Sequence, residues 1–298
     1  MGVSMDPNSI LIEKILSKQK AGGYWGEPGN FYVYTKYKGT VWTVILLAEL
    51  GASAEDQRIR DACEFLLIWS QHRESGGFAF HGAAETGGEA DTIIPCLTGN
   101  MVYSLIRLGR FEDPRVQKGI EWITRYLRFD DAECKSPRGF PYQSEHCWGR
   151  HTCMNGVVTA LRALAEIPAQ HRSPQVRDTI LQAVEFILIH RLFLRSHDSS
   201  QVANPYWLKL GWPRMANIDI LEMLSILQKL GVQEERMVPA LEKLVAMRGG
   251  DGFWLNQNAK EGRMQVRVER EGEPSPHITQ MAISVLNFNS EFFPGRRA

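Results

Sequence analysis

Apolar positions recur at helical spacing along most of this chain, in segments that end alike. Four segments close on a Leu-x-x-Leu or Leu-x-x-Ile pattern followed by Gly or Pro. These closing stretches are Leu47 to Gly51, Leu105 to Gly109, Leu164 to Pro168 and Leu227 to Gly231. Gly or Pro just past the last apolar residue is typical of a helix end. The pattern therefore predicts four related helices.

A second set of helical segments alternates with the first. Its members contain Ala62-Cys-Glu-Phe, Gly119-Ile-Glu-Trp, Ala183-Val-Glu-Phe and Ala240-Leu-Glu-Lys. Three of them begin with an acidic residue two positions before an arginine (Asp56, Asp113 and Glu234), where a helix N-cap or first-turn charge is favoured. The fourth begins Ser173-Pro-Gln and has about one additional helical turn before Ala183. The alternation predicts five helix pairs, at 10–50, 56–109, 113–168, 173–231 and 234–288.

Gly-aromatic corners join most of these pairs. They are Gly22 to Trp25, Gly76 to Phe78, Gly139-Phe140 and Gly249 to Trp254, and the fourth pair has Ser196-His197-Asp198 instead. Alternation over Arg263 to Arg270 predicts a short hairpin edge. One helix pair cannot bury its own apolar face, so the pairs must stack. We expect an all-α single domain over 1–298, with 1–9 disordered or added and 289–298 as a tail.

Charge and composition narrow the classes of partner. Lys plus Arg equals Asp plus Glu, 34 each, and no basic run occurs, which argues against nucleic acid. The longest apolar stretch, Val41 to Leu50, is half a membrane span, and the first residues are polar, so neither a transmembrane segment nor a signal peptide is expected. The chain has 5 cysteines, which favours reduced thiols in a cytoplasmic protein. The pattern leaves the oligomeric state open.

The corners and the repeat length carry a family resemblance over almost the whole chain. The repeats run to roughly 60 residues, longer than those of common helical solenoids. The corners resemble the glycine-tryptophan motif of the α/α-toroid superfamily of squalene and terpene cyclases and protein prenyltransferase β subunits. More narrowly, the chain resembles the stand-alone prokaryotic prenyltransferase or squalene-oxidase repeat proteins. The resemblance implies an α/α toroid of about five helix pairs in inner and outer layers, with an apolar isoprenoid ligand in its central cavity.

Aligning the first-type helices on their shared leucine shows a polar stripe on one helix face. The stripe pairs, spaced i and i+4, are Lys38/Trp42, Cys96/Asn100, Asn155/Thr159 and Ile218/Glu222. Polar groups on an apolar helix should face solvent or line a cavity, because burying a polar group without a hydrogen-bond partner costs about 1–3 kcal/mol. We interpret Lys38, Trp42, Asn100, Asn155 and Thr159 as ligand-binding, with an aromatic wall from Trp42, Tyr142, Trp148, Trp207 and Trp212. The alternatives are that the polar groups bond one another between helices and that the aromatics form core.

An acidic segment precedes one of these helices. Class II cyclases of the resembled family protonate their substrate with the middle Asp of an Asp-x-Asp-Asp-Thr segment. Glu89-Ala90-Asp91-Thr92 stands in the similar place, with Ala90 at the position of the proton donor. Candidate acid or base residues are therefore Glu89 and Asp91, together with His146 and Glu222. The alternative for Asp91 is a helix N-cap.

Cysteine and histidine concentrate between residues 146 and 153. Cys96 and His151 are expected on neighbouring inner helices, and with Cys147 from the loop they predict a zinc ion with one open position. His151-Thr152-Cys153 is similar to the sequence around the zinc-binding His of prenyltransferase β subunits. That family's Asp would correspond to Ile94, so Asp91 would have to replace it. The alternative is that Cys96 is a small buried hydrophobe and His151 a first-turn polar group.

Three functions stay open at this level. The first is an isoprenoid cyclase or prenyltransferase type that lacks the usual class II acid motif. The second is a non-catalytic toroid that binds a lipid or a protein, since a fold does not fix a function. The third is zinc-dependent thiol chemistry of the lanthionine-cyclase kind, which Cys147-Trp148-Gly149 faintly resembles.

Overall fold

The computed structural model describes residues 6–32, 37–131, 147, 152–215 and 217–292. Within these ranges the chain forms ten α-helices and two small antiparallel sheets. The helices are α1 (Pro7–Leu16), α2 (Thr40–Leu50), α3 (Gln57–Trp69), α4 (Pro95–Arg107), α5 (Pro114–Tyr126), α6 (Met154–Glu166), α7 (Pro174–Ile189), α8 (Ile220–Lys229), α9 (Val238–Ala246) and α10 (Pro276–Phe288). The strands are β1 (Gly82–Ala83), β2 (Gly87–Gly88), β3 (Leu194–Arg195) and β4 (Asp198–Val202), paired β1 with β2 and β3 with β4.

The helix pairs follow the predicted order, α1/α2, α3/α4, α5/α6, α7/α8 and α9/α10. The first-type helices α2, α4, α6 and α8 end at residues 50, 107, 166 and 229, within one residue of the predicted ends. Gly51, Gly109 and Gly231 follow three of them with φ of 76°, 77° and 74°, the left-handed conformation that glycine adopts at low cost. The all-α fold of paired helices is confirmed.

The described chain divides into two compact units. Unit 1 comprises residues 1–179 and 262–267, and unit 2 comprises residues 180–261 and 268–298. A single domain and a closed ring of helix pairs were predicted for the whole chain, whereas each unit is described by itself. Both stay predictions.

Inner and outer layers are distinct within unit 1. In α2, 10 of 11 residues are buried, and in α6, 11 of 13. In the alternating helices α3 and α5 the numbers are 6 and 5 of 13. Helix α4 packs against both α2 and α6. A Cβ on Gly99 would lie 2.6 Å from the backbone nitrogen of Ala160, so glycine permits the close approach of α4 to α6. The first-type helices form the buried layer of this unit, as predicted.

Three Gly-aromatic corners share one hydrogen-bonding arrangement. The amide of each corner aromatic donates to a threonine hydroxyl in the first turn of the next inner helix. These bonds are Trp25 to Thr40 at 3.0 Å, Phe78 to Thr98 at 3.0 Å and Trp254 to Thr279 at 3.1 Å. Both indoles also donate to an outer helix, Trp25 to the Ile15 carbonyl and Trp254 to the Leu244 carbonyl. The corner at 139–140 lies outside the described residues.

Two local expectations differ from the structure. The predicted hairpin at Arg263 to Arg270 is wrong, because these residues form turns and irregular backbone. There the Gln265 side-chain amide donates to the Lys38 carbonyl at 2.7 Å. At the N-terminal end, α1 begins at Pro7, so residues 7–9 are helical. None of the helices in the described ranges is long and apolar enough to span a bilayer.

Candidate functional site

Four aromatic side chains of unit 1 form a cluster at the start of α2. This aromatic cluster consists of Tyr32, Tyr37, Trp42 and Phe80. The Tyr32 and Trp42 ring centroids lie 5.1 Å apart, those of Tyr37 and Trp42 5.1 Å, and those of Tyr32 and Phe80 5.9 Å. The Trp42 indole donates to the Tyr32 carbonyl at 3.0 Å. Tyr37 and Trp42 are buried, whereas Tyr32 and Phe80 are half-buried, so the cluster has one edge toward solvent.

The acidic segment predicted from the sequence lies directly beside this cluster. The Phe80 amide donates to the Thr92 carbonyl at 3.1 Å, and the Glu89 amide donates to the His81 carbonyl at 2.9 Å. Glu89 and Asp91 are both exposed. The N-cap of α4 is Ile94, so the interpretation of Asp91 as its N-cap is wrong. Asp91 instead lies in a short 3-10 turn, Ala90–Thr92.

This arrangement combines two chemical properties. Aromatic faces carry negative charge density and attract cations, and they bury large apolar areas. The carboxylates of Glu89 and Asp91 add negative charge on the segment hydrogen-bonded to the cluster. Of the cluster, the sequence predicted only Trp42. Tyr32 and Phe80 fall outside the helical pattern, which gave no signal for them.

Two cysteines lie where α4 and α6 begin. Cys96 is the second residue of α4, and Cys153 is the N-cap of α6. A Cβ on Gly156 would lie 2.8 Å from the Pro95 Cβ and 3.8 Å from the Cys153 Cβ, so the two helix starts are close. Burial, then the charges of Cys153 and Cys147, raise the pKa of the Cys96 thiol. Burial also raises the pKa of Cys153.

The predicted zinc site is only partly within the described residues. Of its predicted ligands, Cys96 and half-buried Cys147 are described, whereas His151 lies outside the described ranges. The catalytic candidate His146 and the ligand-binding candidates Tyr142 and Trp148 lie outside them as well. Within those ranges, no three His, Cys, Asp or Glu side chains form a group that could hold a metal ion. Thiols bind zinc as thiolates, and burial together with the charges of Cys153 and Cys147 disfavours the Cys96 thiolate unless a cation is present. Zinc stays a prediction.

The polar stripe of unit 1 lies at contacts between and within helices. Asn100 and Thr159 are 3% and 2% exposed. The Asn100 side-chain oxygen accepts from the Arg162 guanidinium at 2.6 Å, and the Thr159 hydroxyl donates to the Asn155 carbonyl at 2.8 Å. Asn100 thus fits the alternative in which polar groups bond one another between helices. Lys38 is exposed beside the aromatic cluster. The ligand-binding roles of the stripe stay predictions.

A buried ionic cluster joins three inner helices, and it was not predicted from the sequence. The Arg162 guanidinium of α6 lies 3.5 Å from the Glu49 carboxylate of α2 and stacks over the Tyr103 ring of α4, 4.1 Å from its centroid. The Tyr103 hydroxyl donates to the same Glu49 oxygen at 2.7 Å. Burial, reinforced by the Glu49 charge, raises the pKa of Tyr103. A sequence signal for this cluster was present, because Arg162 is the one charged residue between Met154 and Ala165 in an otherwise uncharged helical segment.

In unit 2 the candidate Glu222 is buried, with 1% exposure. Its amide donates to the carboxylate of Asp219 at 2.8 Å, and the amide of Gly211 donates to the other Asp219 oxygen at 2.9 Å. Asp219 is therefore the N-cap of α8. Burial raises the pKa of Asp219, and Arg214 with the backbone bonds opposes that rise.

Unit 2 also holds a carboxylate-imidazole pair that was not predicted from the sequence. His277 Nδ1 lies 3.1 Å from a Glu269 oxygen, and the Trp212 ring stacks on the imidazole with centroids 3.6 Å apart. The Asn256 amide donates to the other Glu269 oxygen at 2.8 Å. Burial would raise the pKa of Glu269, but the hydrogen bonds from His277, Ser275 and Asn256 outweigh it and hold that pKa below its usual range. Such a carboxylate fixes the orientation of the imidazole.

Comparison with known proteins gives distant structural similarity. No protein-family model matches the chain, and no curated protein matches it. A variant of the type II terpene cyclase MstE from Scytonema, in complex with its substrate geranylgeranyl dihydroxybenzoate, is similar at 13% identity, over 95% of this chain and 72% of that one, with a TM-score of 0.48. The α-2-macroglobulin of Salmonella is similar at 16% identity, over 98% of this chain and 16% of that one, with a TM-score of 0.43. A protein from Actinoplanes is 11% identical over 95% and 99% of the two chains, with a TM-score of 0.32.

Proposed function

We propose that this protein binds an apolar isoprenoid ligand against the aromatic cluster of unit 1, with Glu89 and Asp91 at its edge. The observation that carries the proposal is the convergence of four aromatic rings whose contacting centroids lie 5.1 to 5.9 Å apart. Trp42 and Tyr37 anchor the inner side, and half-buried Tyr32 and Phe80 offer apolar surface to a ligand. A polyene chain gains free energy by covering such rings, at about 25 cal/mol per Å² removed from water.

The surroundings favour binding over acid-catalysed cyclisation. A group that protonates an alkene works best where water is excluded. Glu89 and Asp91 are both exposed, and Ala90 between them carries no acid. We therefore infer a binding protein that retains the aromatic surface suited to isoprenoids. The alternative of a cyclase or prenyltransferase differs in one observable, the conversion of a bound polyene into a product.

The experiment is equilibrium dialysis of labelled farnesol, geranylgeraniol and squalene against the protein. Tyr32→Ala and Phe80→Ala remove the half-buried rings and are expected to weaken binding by about tenfold each, since each deletes a large apolar contact. Tyr206→Ala in unit 2, at a side chain that is 63% exposed, is the matched control and should bind like the parent. Equal affinity in all four proteins would refute the proposal. Mass spectrometry of the recovered ligand should find it unchanged, and a cyclised product would instead establish an enzyme.

A further inference from the structure

Three pairs of successive outer helices are joined by a repeated ionic contact, which we name a rung. In each rung an arginine bonds the acidic residue two positions before it and a glutamate of the preceding outer helix. The arginine is the second residue of α3 or of α5, or lies in the short 3-10 turn that leads into α9. The rungs are Asp56/Arg58/Glu13, Asp113/Arg115/Glu64 and Glu234/Arg236/Glu185. The distances from the arginine to the glutamate of the preceding helix are 2.9, 2.7 and 2.8 Å, respectively, and each contact is bidentate.

The rung between α5 and α7 is absent. Ser173 and Gln175 occupy the positions of the acidic residue and the arginine. The Ser173 hydroxyl still accepts from the Val176 amide at 3.2 Å, so the helix cap is kept while the cation is lost. Glu121 is the eighth residue of α5, as Glu64 is of α3. Glu121 is exposed, and its carboxylate makes no ion pair with any residue in the described ranges.

A groove of about 390 Å³ lies at this missing rung. Its floor is apolar, formed by Ile120, Ile167 and Val176, which are 5%, 1% and 4% exposed. Phe111 and His171 line it as an edge-to-face aromatic pair with centroids 5.9 Å apart. The groove therefore combines an apolar floor and aromatic rings with one carboxylate, that of Glu121.

We propose that this groove binds an arginine side chain of a partner protein, with the guanidinium on Glu121 in place of the missing rung arginine. The three intact rungs show that this surface geometry accepts a guanidinium in a bidentate contact, which a planar fork makes better than a lysine ammonium does. The methylene stem of the arginine would cover Ile120 and Val176. The Phe111 and His171 rings offer faces on which a guanidinium can stack.

The first test uses a fluorescein-labelled blocked peptide, Ala-Leu-Arg-Leu-Ala, followed by fluorescence anisotropy. Peptides with lysine or with neutral citrulline in place of arginine are compared with it, and no isoprenoid is present, so the result is independent of the proposed ligand. The arginine peptide should bind, and both replacements should weaken binding by about tenfold, because each loses the bidentate charged contact. Glu121→Gln should weaken binding equally, whereas Glu64→Gln, in an occupied rung, should leave it unchanged. Equal binding of the arginine and citrulline peptides, or no effect of Glu121→Gln, would overturn the proposal.

The second test restores the missing rung. The double variant Ser173→Asp with Gln175→Arg copies the Asp113-Pro-Arg115 start of α5 onto α7, and both changes lie at exposed positions. The introduced guanidinium should occupy Glu121 and abolish peptide binding while the circular dichroism spectrum and melting temperature are maintained. Retained peptide affinity in a folded double variant would contradict the proposed position of the site.

Discussion

Arg162 on α6 and Glu49 on α2 form a salt bridge with a nitrogen-oxygen distance of 3.5 Å, and only 4% and 7% of their side chains are exposed. Tyr103 on α4 bonds the same carboxylate. Buried charges are tolerated when they are paired, and removing one partner leaves the other uncompensated. One ionic cluster thus links the three inner helices of unit 1.

Replacing Arg162 should be severely destabilising. We expect Arg162→Ala to lower the free energy of unfolding by about 3–5 kcal/mol, because the Glu49 carboxylate then stays buried without its cation. Urea denaturation followed by circular dichroism measures this. Arg125→Ala, at an exposed position of α5, is the control and should stay within about 0.5 kcal/mol of the parent. Similar losses in the two variants would mean that the buried salt bridge contributes no more to the free energy of unfolding than an exposed arginine does.

The intact rung at Arg115 should make the stability of the fold depend on pH in the acidic range. Hydrogen bonds from Arg115 hold the pKa values of Glu64 and Asp113 below their usual range. A carboxyl group whose pKa is lower in the folded than in the unfolded protein stabilises the fold at pH values above its unfolded-state pKa. This contribution is lost as the pH falls through the folded-state pKa. Melting temperatures from about pH 5 to about pH 3 should therefore fall more steeply in the parent than in Arg115→Gln. At neutral pH the variant should lose no more than about 1 kcal/mol, because the pair is partly exposed. Superimposable pH profiles would exclude this contribution.

The stability of the Gly-aromatic corners should depend on the threonines that accept hydrogen bonds from the corner amides. Thr98→Val keeps the side-chain shape but removes the acceptor for the buried Phe78 amide, so we expect a loss of about 1–3 kcal/mol in the free energy of unfolding. Thr279→Val should behave alike at the Trp254 corner. Thr86→Val, in an exposed turn, serves as the control in the same denaturation experiment. A loss at Thr98 no larger than that at Thr86 would show that the corner bond is dispensable.

The helix order could be predicted from sequence because its signals are local. A helix end followed by glycine, such as Leu50-Gly51, is encoded within a few neighbouring residues. The Arg162–Glu49 pair joins positions 113 residues apart, so its partner could not be read from local pattern even though Arg162 itself stood out. The apolar alternation of Met264, Val266 and Val268 gave a false strand, because a strand forms only where a neighbouring strand completes its hydrogen bonds.

The candidate site was predictable only in part for a related reason. Trp42 belongs to the repeating pattern of the inner helices and was found by alignment. Tyr32 and Phe80 lie outside any α-helix or named strand, and tertiary contacts alone bring their rings together. The missing rung was visible as Ser173-Pro-Gln, but only the intact contacts at Arg58, Arg115 and Arg236 show what that change removes.

The zinc prediction can be tested by elemental analysis of protein expressed in zinc-supplemented medium. If Cys96, Cys147 and His151 bind the ion, the parent should contain one zinc per chain, and Cys147→Ser and His151→Ala should each lose it. Cys63→Ser is the matched control, because Cys63 is a buried thiol of α3 whose pKa burial raises to about 11. Substoichiometric metal in the parent, unchanged by these substitutions, would contradict the prediction.

The position of the bound isoprenoid is the central claim, and photocrosslinking tests it most directly. A geranylgeraniol analogue that carries a benzophenone would be irradiated with the protein, and the labelled peptides would be identified by mass spectrometry. We predict labelling of the peptides that contain Tyr32, Trp42 and Phe80, competed by unmodified geranylgeraniol and reduced in Phe80→Ala. Labelling confined to other peptides, or labelling that excess geranylgeraniol does not compete, would contradict an isoprenoid site at the aromatic cluster.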